Sequence, residues 1–317
     1  MKNRRKNTFT VGFYNVENLF DTVNNPNTAD DDFTPNGKHR WNKKKYYQKI
    51  RKITSVISQI GKEQSNLPPV IVGLVEVENA TVVKDLVRHK NLLKYNYDYV
   101  HFESNDERGI DVSLIYNRNF FIELSSKTYS LNLIDDDGSP DYTRDVLVVK
   151  GSLYNELVYI IINHWPSRRE GEEETKHKRI KAAELNQYII EEIKKETENP
   201  KILIMGDFND NPTSESIQNH LVSEELYNPM KELYKKGKGT LTYYKEWHLF
   251  DQIIISKNFF DSNSYHSFLK ARVFAKDWLR SHRGKYKNSP FRTYIGPWHQ
   301  GGYSDHFPVY LTFEKEE

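Results

Sequence analysis

Eight side chains in the 317-residue sequence have types and positions that could do chemistry together: Asn15, Glu76, His164, Asp207, Asn209, Asp251, Asp305 and His306. Each stands at or beside the end of a short apolar run. Four carboxylates, two amides and two imidazoles form a hard donor set suited to Mg²⁺ or Mn²⁺, which prefer carboxylate and carbonyl oxygens. The chain has no Cys, so thiolate zinc sites, disulfides and thiol nucleophiles are excluded together. Any metal must be held by oxygen or imidazole. Taken singly, each residue has a plainer explanation, since Asp-Phe-Asn after Gly206 suits a turn and an Asp-His pair suits a surface. Their common placement at strand ends is what argues for a joint role.

The runs that would carry them are Phe9 to Tyr14, Val70 to Val75, Val158 to Ile162 and Lys201 to Met205. Near-continuous apolar runs of this length predict central strands buried on both faces, whose polar ends converge on one cleft. Between them, Ile50, Ile53, Val56, Ile57 and Ile60 recur at spacings of three and four, as do Ala182, Leu185, Ile189 and Ile193, so amphipathic helices are predicted over 42–60 and 173–196. From Gly109 to Leu153, two strand-like runs joined by Asp135-Asp-Asp-Gly-Ser-Pro predict an antiparallel meander and therefore a mixed sheet. No repeat and no Pro/Gly/Ser linker divides the chain, so residues 1–317 are expected to form one large α/β domain. The loop-rich stretches Thr22 to Trp41 and Asp277 to Gly302 read as insertions around the site.

Lys and Arg total 46 against 44 Asp and Glu, a net charge of +2 that argues for no particular partner. The distribution says more. Residues 36–62 hold Lys38, Arg40, Lys43, Lys44, Lys45, Lys49, Arg51, Lys52 and Lys62 with no acid, while Lys270, Arg272, Lys276, Arg280, Arg283, Lys285, Lys287 and Arg292 face Asp277 alone. Two such runs, each interleaved with aromatics, point to a polyanionic partner, although a solvated face explains any one charge run. No run approaches a membrane span, and the basic start from Met1 leads directly into Phe9-Thr-Val-Gly-Phe-Tyr, so a soluble, cytoplasmic protein is expected, with a monomer as the default.

The motifs Asn15-Val-Glu-Asn-Leu-Phe, Gly73-Leu-Val-Glu-Val-Glu-Asn, Asn163-His-Trp-Pro-Ser-Arg, Met205-Gly-Asp-Phe-Asn-Asp, Phe250-Asp-Gln-Ile-Ile-Ile-Ser and Tyr303-Ser-Asp-His-Phe-Pro-Val occur in this order between Val11 and Val309. Together they resemble the signature of the endonuclease/exonuclease/phosphatase superfamily, the fold of pancreatic deoxyribonuclease. That resemblance implies a four-layer sandwich of two mixed, mostly antiparallel sheets flanked by helices. It also implies roles. Glu76 would be the principal Mg²⁺ ligand, with Mn²⁺ an alternative ion and Asn15 and Asp305 as further or water-mediated ligands. Asp207 would position and deprotonate water, and Asn209 would orient it or the phosphate. Asp251 and His306 would pair beside the scissile phosphorus, and His164 would donate to a non-bridging oxygen; whether His306 or Asp207 is the base is left open.

Arg108, Asp111, Arg144 and Arg168 are second-tier candidates for substrate binding, because arginine forks suit phosphate, though surface ion pairs explain them equally well. Glu78 shares a strand face with Glu76 if the strand alternates regularly, so Glu78 and Asn79 are further candidate ligands. Trp165 and Trp247 adjoin site motifs and could stack on a base, although packing is the commoner role. The resemblance implies a metal-dependent phosphodiester hydrolase. The basic stretches favour DNA as substrate. A phosphatase or phosphodiesterase acting on a small-molecule or lipid headgroup phosphate is the alternative, with Gln252 where the inositol phosphatase branch typically carries Arg. A non-catalytic binding module on the same fold would be expected to lose Glu76, Asp207, Asn209 or His306, and all four are present.

Overall fold

The computed structural model describes residues 7–135, 137–261 and 264–316. The expectation drawn from the basic start at Met1–Lys6 lies outside the described residues. In chain order the first half contains β1 (Thr8–Leu19), α1 (Lys43–Ile57), β2 (Ile71–Val77), α2 (Ala80–Arg88), α3 (Lys90–Leu93), β3 (Tyr97–His101), β4 (Asp111–Asn117), β5 (Phe121–Tyr129), β6 (Leu133–Ile134), β7 (Pro140–Asp141) and β8 (Val146–Leu153). There follow β9 (Glu156–His164), α4 (Lys176–Glu196), β10 (Lys201–Asp207), β11 (Leu226–Tyr227), α5 (Met230–Lys235), β12 (Leu241–Tyr243), β13 (Glu246–His248), β14 (Asp251–Ser256), β15 (His266–Val273), β16 (Tyr294–Ile295), β17 (Trp298–His299) and β18 (Val309–Lys315).

Two six-stranded sheets, ordered β15-β18-β1-β2-β4-β3 and β11-β14-β10-β9-β8-β5, pack face to face. Each has one parallel pair at its centre, β1 with β2 and β9 with β10, and the other neighbours are antiparallel. Parallel neighbours need a crossover, and the crossovers are α1 and α4. Both pairs therefore end at the same edge of the sandwich, which is where the polar residues lie.

Three apolar cores define the four layers. Phe13, Leu114, Ile160, Leu203 and Met205 fill the space between the sheets; Ile50, Ile53, Val72 and Leu86 seal α1 and α2 on the first; Ala182, Ile189, Ile161 and Ile204 seal α4 on the second. Truncating a fully buried member such as Ile160 to Ala would cost about 2–5 kcal/mol. Asn42 caps α1 by accepting from Lys45 N, and Asn79 caps α2 by accepting from Thr81 N and Val82 N. The four-layer architecture and both long helices thus match the sequence reading.

The meander does not. The two strand-like runs of 109–153 belong to different sheets, β4 pairing with β2 and β3, and β8 with β5 and β9. The intervening β5 escaped notice because alternate residues such as Ile122 and Leu124 face solvent, blurring its hydrophobic alternation. The two insertions are folded against each other rather than loose. Tyr294 packs its ring near those of Phe33, His39 and Trp41 and donates its hydroxyl to His39 O. Lys45 donates to His39 O, Lys49 to Thr293 Oγ1 and Tyr303 O, and Lys52 to Gly301 O. Three lysines of the first basic run are therefore turned inward to fasten loops, leaving Lys43 and Lys44 exposed.

Candidate active site

The register of the second sheet sets one row. Asp207, the last residue of β10, pairs with His164 on β9 and with Asp251, the first residue of antiparallel β14. A Cβ on the preceding residue, Gly206, would come within 2.5 Å of Asn163 O, so this close approach requires glycine. All three side chains of the row are buried.

His306 reaches the row from the loop before β18. Its N–H donates to Ser304 Oγ (3.0 Å), and Ser304 donates to Asn15 O (2.7 Å), which ties the loop to the end of β1. His306 Nδ1 lies 2.7 Å from Asp251 Oδ2, and its Nε2 lies 3.9 Å from Asp207 Oδ2. Burial alone would favour neutral imidazole, but Asp251 and Asp207 outweigh it and hold the His306 pKa well above the ordinary histidine value. Burial pushes the Asp207 carboxyl up to about 6 against the opposing pull of the His306 charge. His164 moves the other way. Burial, reinforced by Arg144 and Arg108, keeps its pKa well below the ordinary value, so it is a neutral imidazole 3.9 Å from Glu76 Oε1 and 4.0 Å from Asp207 Oδ2.

The first sheet contributes a more open crown. Asn15 Nδ2 donates to Glu76 Oε1 (3.2 Å) and Asp207 Oδ2 (3.0 Å), while its Oδ1 accepts from Glu17 N (2.9 Å). With that orientation Asn15 bridges the two carboxylates and organises them. Asn18 N donates to Glu76 Oε2 (2.8 Å). Glu17, Asn18, Glu76 and Asn209 have φ of 54°, 49°, 64° and 49°, a left-handed conformation that is costly for Glu and clusters here at the site. Registers slip at the same places, between Asn15 and Leu19 and between Val75 and Val77.

That slip overturns the inference about Glu78. Alternation is broken at Glu76, and Glu78 turns away to accept from Asp21 N (2.5 Å), where burial raises its pKa to about 8. Asn79 is occupied as a helix cap and by Asp21 Oδ2, 3.1 Å from its Nδ2. Asp305 accepts from Arg292 (2.5 Å), and the His306 and Arg292 charges overcome burial to hold its pKa low. Asn209 donates its side-chain amide to Trp165 O (2.9 Å), at the rim of the row.

The basic candidates divide. Arg108 donates to Asn18 Oδ1 (2.6 Å), and buried Arg144 bridges Asp106 Oδ2 (3.1 Å) and Trp165 O (2.8 Å) with its Nε unpartnered. Both line a small cleft of about 160 Å³ together with Asp106 and Arg169. Arg168 is not in it: it donates to Asn209 O and Asp210 Oδ1 and lies over the Phe250 ring, 4.7 Å from its centroid. Asp111 also stands outside, bonded to Ser104 N and Oγ, and burial raises its pKa to about 7. Of the adjacent arginines the motif pointed to Arg168, whereas Arg169 faces the clefts; nothing in a loop sequence says which of two neighbours turns inward. Asp106, Lys49 and Arg292 were likewise missed as site-building residues, because their partners are distant in sequence. Trp165 packs edge-on against Phe208, so its role is packing.

A second cleft, about 280 Å³, is lined by Asn18, Arg169, Arg292, Tyr294 and Asp305 and is walled by both insertions. A larger cavity of about 470 Å³ beside Ile190, Ile202 and Asn258 lies at the opposite strand ends, away from all of these groups.

Asp207, Asp251 and His306 offer ligand atoms within 4.8 Å of one another, a grouping able to hold a cation. Their internal 2.7 Å contact instead suits an imidazole steadied by a carboxylate, since a metal at Nδ1 would displace that hydrogen bond. Glu76 is the other candidate for a hard ion: its carboxylate is oriented by Asn15 Nδ2 and Asn18 N and stays 14% exposed, while Asp305 lines the cleft of about 280 Å³.

Residues 10–315 match the family model described as Endonuclease/Exonuclease/phosphatase family, and the chain belongs to that family. Its members are phosphoester hydrolases. The fold is similar to that of humanized D. rerio TDP2, at 14% identity and a TM-score of 0.61 over 98% of this chain and 100% of the other. It is similar also to D. rerio TDP2 complexed with single strand DNA product, at 14% identity and 0.60 over 97% and 99%, and to the Bacteroides thetaiotaomicron mannosyl-6-phosphatase Bt3783, at 19% and 0.58 over 96% and 99%. No curated protein matches the sequence significantly. Among the described residues, no helix is long and apolar enough to cross a membrane.

Proposed function

We propose that this protein is a Mg²⁺-dependent nuclease that hydrolyses phosphodiester bonds in DNA. The observation that carries the reading is the row His164–Asp207–Asp251 with His306 bonded to Asp251 and facing Asp207. Hydrolysing a phosphodiester means bringing hydroxide to an anion, so charge must be neutralised and water held in line. Glu76 would hold the ion, with Asp305 and Asn15 beside it, and the ion would supply Lewis-acid polarisation of a phosphoryl oxygen.

The chain's own residues do the rest. Asp207, raised toward neutrality by burial, takes a proton from water, and Asn15 and the Asn209 N–H (3.0 Å from Asp207 Oδ1) fix its carboxylate. His306, held cationic by Asp251, presents Nε2–H to the developing negative charge. Neutral His164 donates to a non-bridging oxygen, and Arg108, Arg144 and Arg169 supply positive potential around it. The similarity to TDP2 bound to single strand DNA product is in keeping with a DNA substrate.

The insertion-walled cleft of about 280 Å³ favours one second reading, hydrolysis of a phosphate on a small molecule held there. Parallel assays separate the two: plasmid, end-labelled DNA, RNA, sugar phosphates and inositol phosphates with Mg²⁺, Mn²⁺ or EDTA, and His306→Ala as control. Metal- and His306-dependent cutting of DNA supports the nuclease. Phosphate release from small esters with DNA left intact would reject it in favour of the second reading.

A further inference from the structure

A groove of about 790 Å³ runs between edge strand β15, the turn after α5 and the second insertion. It gathers Lys238, Lys270, Arg272 and Arg280, with Asp277 as its one acid. These cations come from three separate stretches of chain, so folding has concentrated charge that the sequence dispersed. Trp247 also lines it. Its ring stacks on Phe307 (centroids 5.9 Å apart, 21° between planes), and the Arg280 guanidinium lies 4.9 Å from the Phe307 centroid. Phe307 follows His306 in the chain, so two groove residues, Trp247 and Arg280, pack on the neighbour of that imidazole.

Charged side chains on an edge strand guard it against pairing with other chains. That accounts for Lys270 and Arg272 on β15, but Lys238 and Arg280 belong to other elements. Among the described residues Lys238, Lys270 and Arg272 form no direct salt bridge, although the charge of Glu63, which is bridged to Lys276, reaches Lys270. On α4, by contrast, Lys176, Lys194 and Lys195 are each paired with glutamates. Converging unpaired cations repel one another unless an anion lies between them. The volume falls within the range of small-ligand sites, enough for a few nucleotides of one strand.

We propose that this groove binds the sugar–phosphate backbone of a single-stranded segment of the same nucleic acid whose phosphodiester occupies the catalytic centre. The proposal rests on the nuclease reading. It makes Lys238, Lys270 and Arg272 determinants of substrate length. Short substrates occupy the catalytic centre alone, and longer ones also fill the groove.

The test measures binding of fluorescein-labelled single-stranded oligonucleotides of about 4 and about 16 residues by anisotropy in EDTA across a salt series. It compares the wild type with Lys238→Ala/Lys270→Ala/Arg272→Ala, and with Lys176→Ala/Lys194→Ala/Lys195→Ala, which removes the same charge from α4. In the groove variant, the salt slope for the longer strand should fall by about 2. Its affinity should drop roughly tenfold at low salt. With metal present, its KM for the longer strand should rise at unchanged kcat, and hydrolysis of bis(p-nitrophenyl) phosphate should stay at the wild-type rate. The α4 variant should behave as wild type. A groove variant with the wild-type slope, or two triple variants that weaken binding equally, would overturn the groove. A wild type that hydrolyses the small diester yet neither binds nor cuts either strand would reject the nuclease reading and the groove's ligand with it.

Discussion

The two sheets bring differently prepared groups to the same cleft. From the first sheet, Glu76 and Asp305 keep 14% and 29% of their side chains exposed, and Lys49 and Arg292 lie close behind them. From the second, Asp207, Asp251 and His164 keep 3% or less, and burial governs the shifts of Asp207 and His164. The contrast teaches a division of labour. More exposed oxygens suit a hard cation that retains water, whereas buried groups suit proton transfer because their pKa values can be moved toward neutrality. His306 is the exception, delivered by a first-sheet loop into the second sheet's row.

The largest expected effect breaks the buried side. Asp207→Asn keeps the shape and removes the proton acceptor, so kcat should fall about 10³-fold or more while binding of substrate survives, measured as kcat and KM with Mg²⁺ present. Normal turnover would remove Asp207 from the chemistry.

Next comes a test of burial. Asp111 accepts from Ser104 and has the His101 ring 4.0 Å away, which burial keeps neutral, and burial raises the Asp111 pKa to about 7 from an ordinary 3.8, so the folded state holds a proton that the unfolded state has released. The sign is therefore that stability is fully present below pH 3.8 and is lost as pH rises through 7. Asp111→Asn, whose carbonyl can still accept from Ser104, should flatten that slope and raise stability at pH 8 by at most about 4 kcal/mol. Urea midpoints across pH measure it; parallel curves for the two proteins would show that Asp111 ionises freely.

On the open side, Glu76→Gln should raise the Mg²⁺ concentration for half-maximal rate by about 10–100-fold. Saturating metal should restore much of the rate, as it cannot for Asp207→Asn. A metal titration that leaves both variants equally dead would erase the division. The smallest effect belongs to the exposed rim. Lys43→Ala/Lys44→Ala should lower the slope of DNA affinity against salt by at most about 2, with kcat unaltered; an unchanged slope would take this stretch out of the footprint.

Much of this arrangement could be read from residue order. Buried strands announce themselves as Ile/Val/Leu runs, and His164 and Asp207 stand where two of those runs stop, while Asp251 stands where a third begins and was carried by its motif. Glu78 could not be set aside in favour of Glu76 by side alone, because strict alternation fails where Glu76 takes a positive φ, a backbone event with no compositional mark. Arg168 and Arg169 could not be ranked because loops have no period to assign sides. The lysines of α1 were read with their run as facing a polyanion or solvent, yet Lys49 is buried against Glu17, a partner 32 positions away on β1. Strand β5 was lost for the opposite reason, since an outer strand exposes apolar side chains that a core strand would bury.

The order of the strands also bears on how the protein is made. All six strands of the second sheet fall between Phe121 and Ser256, whereas the first is begun by β1 to β4 and finished only by β15 and β18. Synthesis from the N-terminus therefore completes one sheet while β1 still shows a bare edge, awaiting β18 as its antiparallel neighbour. His306 emerges just ahead of that strand. Until then Asp207 and Asp251 stand without their imidazole, so completion of the first sheet and assembly of the row are one event.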